Sequence, residues 1–178
     1  MTEQDRTRWD AAYAERAVAT APALPAVFAG CEDVFPRHGT ALEIACGAGS
    51  AAVWLAQRGL DVHGVDVSAV AIGQARALAE QHGVTVRFDV VDLDDGLPPG
   101  DPVDLVLCHK FRDPGRYATL PARLKPGGLL AICVLSEVGA TPGRFRAVPG
   151  ELRTAFAELD ELASGEGAGR AWLLARRR

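Results

Sequence analysis

"ALEIACGAGS", residues 41–50, decides the fold. It reads as a buried strand that runs into a loop carrying two glycines, Gly47 and Gly49. Glycine in a strand-to-helix turn permits positive φ and lets a ligand approach the backbone closely. The spacing Gly47-x-Gly49-x-x-Ala52 satisfies the dinucleotide fingerprint in its G-x-G-x-x-G/A form. It serves equally well for a nucleoside without a phosphate, so the rest of the chain has to decide between cofactors.

Outward from this stretch, strand and helix alternate. Apolar runs with β character occupy "TALEIAC" (40–46), "DVHGVDV" (61–67), "VTVRFDVVD" (84–92), "VDLVLCH" (103–109) and "LLAICVLSEV" (129–138). Between them, "SAAVWLAQRG" starts at a possible Ser50 cap and stops at Gly59. "SAVAIGQARALAEQHG" starts at Ser68 and stops at Gly83, with Ile72, Ala75, Leu78 and Ala79 on one face. "DPGRYATLPARL" offers Asp113 as a cap and Pro114 at the first helical position, "KPGG" is a turn, and a helix is expected from Glu151 to about Glu158. "LDELASGEG" and "RAWLLARR" close the chain as a strand pair, and residues 3–19 read as an opening helix with Trp9, Ala12 and Tyr13 on one face. Middle strands apolar along most of their length are covered on both faces. The expected fold is α/β: a doubly wound, mostly parallel, seven-stranded Rossmann-like sheet with an antiparallel last strand and helices on both faces. In such sheets ligands bind at the C-terminal strand ends. That rule gathers Cys46–Ser50, Asp66, Asp92 and Cys108–Arg112, which are far apart in sequence.

Composition sets the limits. The chain has 178 residues, 48% hydrophobic and 24% charged, which suits one soluble domain without disulfide or metal staples. Its 19 basic and 23 acidic residues give a net charge of −4, without the basic footprint of a nucleic-acid binder. Cys31, Cys46, Cys108 and Cys133 form no C-x-x-C pair and read as small buried hydrophobes in a reducing compartment. "MTEQDRTRWD" has no signal-peptide core, and no apolar run approaches the roughly 18 residues of a membrane span. A cytoplasmic enzyme or binding protein is expected, as a monomer or homodimer, with no metal, no nucleic acid and no membrane partner.

Three carboxylates separate the cofactors. Asp66 ends the second strand, 19 residues after Gly47, where it can accept from both hydroxyls of a ribose; capping the helix near Ser68 is its other reading. Asp92 ends the third strand and can reach an adenine edge, or else is a loop carboxylate beside Asp94 and Asp95. Glu43 lies inside the first strand, where a carboxylate is expensive unless partnered by a cationic ligand or a backbone turn. A dinucleotide brings a pyrophosphate to the helix N-terminus, and nothing in that geometry needs Glu43. S-adenosylmethionine brings a positive α-amine and sulfonium with an adenosine, which fits the acidic pattern better.

On these residues the chain resembles a class I S-adenosylmethionine-dependent methyltransferase. "LEIACGAG" resembles the family's first motif, "VHGVDVS" the second with its ribose-binding acid, "VVDLDDGLP" the third, "VDLVLCH" the fourth, and "RLKPGGLLAI" the turn and strand that follow. The resemblance covers residues 40–178 and implies a cofactor site of Glu43, Ala45, Cys46, Gly47, Gly49, Asp66, Val67, Asp92, Leu93 and Cys108, whose backbone carbonyl would take the α-amine. Ala45 stands where the family more often has glycine. "CHKF" (108–111) replaces the [D/N/S]-P-P-[Y/F/W] signature of members that methylate bases or glutamine, which counts against a nucleic-acid base as acceptor. "RWDAAYAER" resembles the start of small-molecule methyltransferases of the tellurite-resistance and thiopurine types, whose N-terminal helix covers the active site.

The expected organisation is therefore an N-terminal cap, residues 1–39, and a cofactor-binding domain, residues 40–178. The expected reaction is transfer of a methyl group from S-adenosylmethionine to an O, S or N nucleophile on a small molecule, leaving S-adenosylhomocysteine. His109 is the candidate base, with an ordinary pKa near 6.5. Trp9, Tyr13, Arg112, Arg144 and Arg146 are candidates for the acceptor side. Two other readings stand beside this one: a non-catalytic binder of the same cofactor, and an NAD-dependent oxidoreductase.

Overall fold

The apolar runs become strands. In the computed structural model, which describes residues 3–15 and 21–178, contacts group the chain into two compact units, 1–100 and 101–178. The first unit holds β1 (Gly39–Ile44), β2 (Leu60–Asp66) and β3 (Arg87–Val90), paired in parallel. Ala41, Leu42 and Ile44 of β1 are all buried, as are Val62 and Val65 of β2. Three helices accompany these strands: α1 (Glu3–Glu15), α2 (Ser50–Gln57) and α3 (Ala69–Gln81). The expected apolar face of α3 is its buried face: Ile72, Ala75, Leu78 and Ala79 are each at most 5% exposed. Ser68 caps it by accepting from the Ala71 N–H at 3.1 Å.

The second unit holds β4 (Val103–His109), β5 (Leu124–Leu135), β6 (Asp160–Gly167) and β7 (Arg170–Arg176), with the short helices α4 (Thr119–Ala122) and α5 (Glu151–Ala155). β4 and β5 pair in parallel; β7 runs antiparallel to both β5 and β6. The strand order of the seven-stranded sheet is β3-β2-β1-β4-β5-β7-β6, the mostly parallel sheet with antiparallel closing strands expected from sequence. No helix among the described residues is long and apolar enough to cross a membrane.

The opening helix is present over Glu3–Glu15, and residues 16–19 of its expected span lie outside the described residues. Local expectations differ from the structure at four places. Ser50 does not cap α2; left-handed Gly49 (φ 76°) occupies that position, and the Ser50 hydroxyl donates to the Ala21 and Ala23 carbonyls at 3.1 and 3.3 Å. The expected helix over 113–124 splits into a 3-10 turn, Pro114–Arg116, and the single turn of α4, because Pro121 fits only the first turn of a helix. Asp113 does cap the 3-10 turn, accepting from Gly115 N–H at 3.1 Å. The "KPGG" turn is present as a bulge within β5: Val103 pairs with Leu124 and Leu105 with Leu129, and Gly127 takes φ 76° to let the chain loop out. The helix expected to reach about Glu158 stops at Ala155.

Candidate functional site

The first unit builds the glycine loop from backbone outward. Between β1 and α2, Ala45, Gly47 and Gly49 all take left-handed φ, at 52°, 54° and 76°. Cys46 N–H donates to the Val65 carbonyl at 2.9 Å, carrying the loop along the end of β2. Asp66 then holds it there: Gly47 N–H donates to Oδ2 and Ser68 N–H to Oδ1, both at 2.9 Å. Asp66 is 6% exposed, and burial raises its pKa against the lowering effect of these amides. The bond from Ser68, at the start of α3, is close to the capping role the sequence allowed, and the hold on Gly47 is a structural task that sequence reasoning did not assign. The Val67 backbone amide also bonds the Asp66 carboxylate, which keeps acceptor capacity for one further donor such as a ribose hydroxyl.

Glu43 is 4% exposed. The Ala52 backbone hydrogen-bonds its carboxylate, but Oε2 is buried without a partner among the described residues. Burial, with the Asp66 charge adding to it, pushes the Glu43 pKa up to about 8. The same surroundings push the Cys46 thiol well above its ordinary value, so it sits in the loop as an inert thiol. A buried carboxylate with one unsatisfied oxygen beside a glycine loop suits a cation rather than a phosphate.

The two glycines do different work. A Cβ on Gly49 would lie 2.7 Å from Ala75 Cβ and 2.9 Å from the Phe88 ring, so Gly49 lets the loop pack on α3 and β3. A Cβ on Gly47 would lie 2.5 Å from the Tyr13 hydroxyl. Tyr13, expected on the acceptor side, thus stands over the glycine loop, with its carbonyl taking a 2.9 Å bond from Gln74 Nε2. Trp9 is 38% exposed and lies 6.3 Å, centroid to centroid, from the Tyr13 ring. Val67 and Leu93 are both buried, at 4% and 1% exposed. Asp92 stands two residues beyond β3, where its Oδ1 accepts from Asp94 N–H at 2.9 Å and starts a 3-10 turn.

In the second unit, β4 ends at His109, followed by Lys110 at φ 64°. Cys108 is buried, and its thiol donates to the Phe111 carbonyl at 3.3 Å. His109 Nε2 is buried without a partner among the described residues. Burial, with Lys110 and Arg170 adding to it, lowers the His109 pKa to about 4, not the 6.5 assumed from sequence. Two of the arginines assigned to the acceptor are spoken for. Arg112 grips Glu151 through two bonds, Nε–Oε1 at 2.7 Å and Nη2–Oε2 at 2.6 Å, while Tyr117 donates to the same carboxylate at 2.9 Å. Arg146 donates through Nη1 to the Ser136 and Gly169 carbonyls at 2.8 and 3.2 Å and pins the base of the loop after β5. Arg144 is exposed, with its guanidinium 5.5 Å from the Phe145 ring. The partner Glu151 carried no sequence signal: it is one acid among 23, made legible only by its contacts.

Part of the chain is similar to known proteins. The family profile described as the methyltransferase domain matches residues 41–128. The ribosomal RNA small subunit methyltransferase C of Alcanivorax borkumensis is 35% identical over 112 residues, covering 57% of this chain and 34% of that protein. The ubiquinone biosynthesis O-methyltransferase of Cereibacter sphaeroides is 35% identical over 101 residues, covering 54% and 41%. The chain thus spans less than half the length of these curated relatives. Over residues 41–128 the chain is similar to the methyltransferase domain. Its fold is similar to that of TehB from Haemophilus influenzae, with a TM-score of 0.78 at 16% identity, over 96% of this chain and 67% of that one.

Proposed function

We propose that this chain transfers a methyl group from S-adenosylmethionine to a nucleophilic oxygen, sulfur or nitrogen on a small molecule. The observation that carries the reading is Glu43: a carboxylate buried in β1 with Oε2 unpartnered, next to a glycine loop that Asp66 holds in place. The residues fit the cofactor by chemistry. Glu43 offers negative charge to its cationic amino acid end, Asp66 offers acceptors to the ribose, and Asp92 and the backbone at Val67 and Leu93 suit the adenine. In the second unit the Cys108 carbonyl is assigned to the α-amine. When bound, the cofactor supplies a methyl group already activated on a sulfonium. The protein's own contribution is then positioning and exclusion of water.

His109 is the candidate base for an acceptor that must lose a proton. With a pKa of about 4 it is neutral at pH 7 and able to accept, though as a weaker base than an ordinary histidine. Arg144 remains as the acceptor-side cation of the three arginines. The segment 1–39 is assigned as a cap, supported by Tyr13 standing over Gly47.

A small acceptor is supported by "CHKF" at 108–111 and the net charge of −4, and a cytoplasmic location by Cys46, Cys108 and Cys133, which pack as small buried hydrophobes. Ribosomal RNA is the competing acceptor, because one relative is named for it. Calorimetric titration with S-adenosylhomocysteine and with NADH tests the cofactor: binding of the first and not the second is expected. Methyl transfer from labelled cofactor to a panel of phenols, thiols and amines, run beside ribosomal RNA, tests the acceptor. Label in the RNA alone overturns the small-molecule reading.

A further inference from the structure

Helix α1 is held to its unit in an unusual way. None of its described residues is fully buried, so it has no apolar stripe pressed into a core. What holds it is a circuit of polar contacts that passes through the glycine loop. Asp10 Oδ1 accepts from the Ser68 hydroxyl at 2.5 Å and from Val70 N–H at 3.2 Å, at the start of α3. Ser68 N–H donates to Asp66 Oδ1, and Asp66 Oδ2 accepts from Gly47 N–H. The Tyr13 phenol stands over Gly47, and Gln74 Nε2 returns the circuit to α1 through the Tyr13 carbonyl at 2.9 Å.

Among the described residues, Asp10 is the one carboxylate of α1 in this circuit. It shares its Oδ1 between a hydroxyl and an amide, the two donors at the mouth of α3. A charged acceptor at a helix N-terminus is well placed electrostatically. With little apolar burial to assist it, that contact carries a large share of the docking free energy of α1. We infer that Asp10 is a positioning residue: it latches α1 over the 45–49 loop, so that docking of α1 and binding of the cofactor stabilise each other.

The inference rests on the proposed reading of 45–49 as the cofactor loop. By linkage, the factor by which docked α1 tightens cofactor binding equals the factor by which bound cofactor tightens α1 docking. Asp10 touches only the α3 mouth in the circuit, and acts on the cofactor through Ser68, Asp66 and the position of Tyr13. Gly47 is then glycine for a second reason: any side chain there strikes the lid before it reaches a ligand.

The test combines calorimetric titration with S-adenosylhomocysteine and limited trypsin digestion at Arg6 and Arg8, both exposed on α1. In the wild type, S-adenosylhomocysteine is expected to slow cleavage in α1. Asp10→Ala is expected to bind it about tenfold more weakly, the loss of one charged acceptor, and to lose that protection while its circular dichroism is unchanged. Asp10→Asn keeps an Oδ1 acceptor and is expected to recover most of both. Asp10→Ala and Tyr13→Phe are expected to act non-additively on affinity, because both work through the same lid. Wild-type affinity and protection in Asp10→Ala overturn the latch while leaving the cofactor reading intact. Absence of binding in the wild type overturns the cofactor reading, and the latch with it.

Discussion

Ala45 is a non-glycine residue held at φ 52°, in the hairpin of backbone that starts the loop. The left-handed region costs an L-residue roughly 1–2 kcal/mol, partly offset by the extra unfolded-state freedom of glycine. Ala45→Gly is therefore expected to be neutral to stabilising by up to about 1 kcal/mol, read by chemical denaturation, and to leave S-adenosylhomocysteine affinity in place. At His109 the structure changes the pH expectation. A histidine with its pKa lowered to about 4 is neutral across the physiological range, and it costs stability as pH falls from 6.5 towards 4, where the unfolded chain takes up the proton first. If it is the base, His109→Ala lowers turnover by roughly 10²–10⁴. The wild-type rate then stays level with pH down to about 5, with no limb at the ordinary histidine value. A limb near 6.5 assigns the proton to another group.

At the scale of elements, one carboxylate joins a strand end, a loop and a helix start. Asp66→Ala removes the acceptor proposed for the ribose and also strands the Gly47 and Ser68 amides. S-adenosylhomocysteine affinity is expected to fall tenfold or more, and stability to fall with it by about 1–3 kcal/mol for each buried donor left unpaired. Calorimetry and denaturation measured together check both; a loss of affinity at full stability would mean that the loop holds itself. In the second unit the Arg112–Glu151 fork ties the chain after β4 to the start of α5, with both side chains under 20% exposed. Arg112→Ala leaves the Glu151 carboxylate without its countercharge, held only by the Tyr117 hydroxyl and the Val148 amide, at an expected cost on the order of 3 kcal/mol. Arg112→Lys recovers only part, because an ammonium cannot make the two-pronged contact.

Across the whole molecule, stability is expected to fall towards alkaline pH. Glu43 is raised from 4.5 to about 8, and Asp66 is raised as well. Between those two values the folded protein keeps a proton on Glu43 that the unfolded chain has released, so the stabilisation present below pH 4.5 is lost as pH rises towards 8. Glu43→Gln cannot titrate, and its melting temperature is expected to vary less over this range. The cofactor's positive charge favours ionised Glu43, so binding is expected to release a proton below pH 8 and to tighten as pH rises to that value. Titrations in buffers of different ionisation enthalpy measure that release directly; the same proton count in Glu43→Gln would place it elsewhere.

The sequence by itself determined the architecture, because its signals are local. The apolar runs at 40–46 and 103–109, the Ser68 cap and the stops at Gly59 and Gly83 depend on neighbours a few residues away, and each is found where those neighbours put it. Positive φ in the glycine loop was legible for the same reason. Partnership was not. Ser50 reads as a cap but reaches back to Ala21 and Ala23; Arg112 and Arg146 read as free cations but close on Glu151 and on backbone carbonyls; Asp10 lay unremarked within "WDAAY". A polar side chain's role depends on which donor or acceptor the fold brings within about 3 Å, and residues 58 positions apart, like Asp10 and Ser68, meet only after the core has packed. The protonation states of Glu43 and His109 belong to the same category, since burial and surrounding charge exist only in the folded chain.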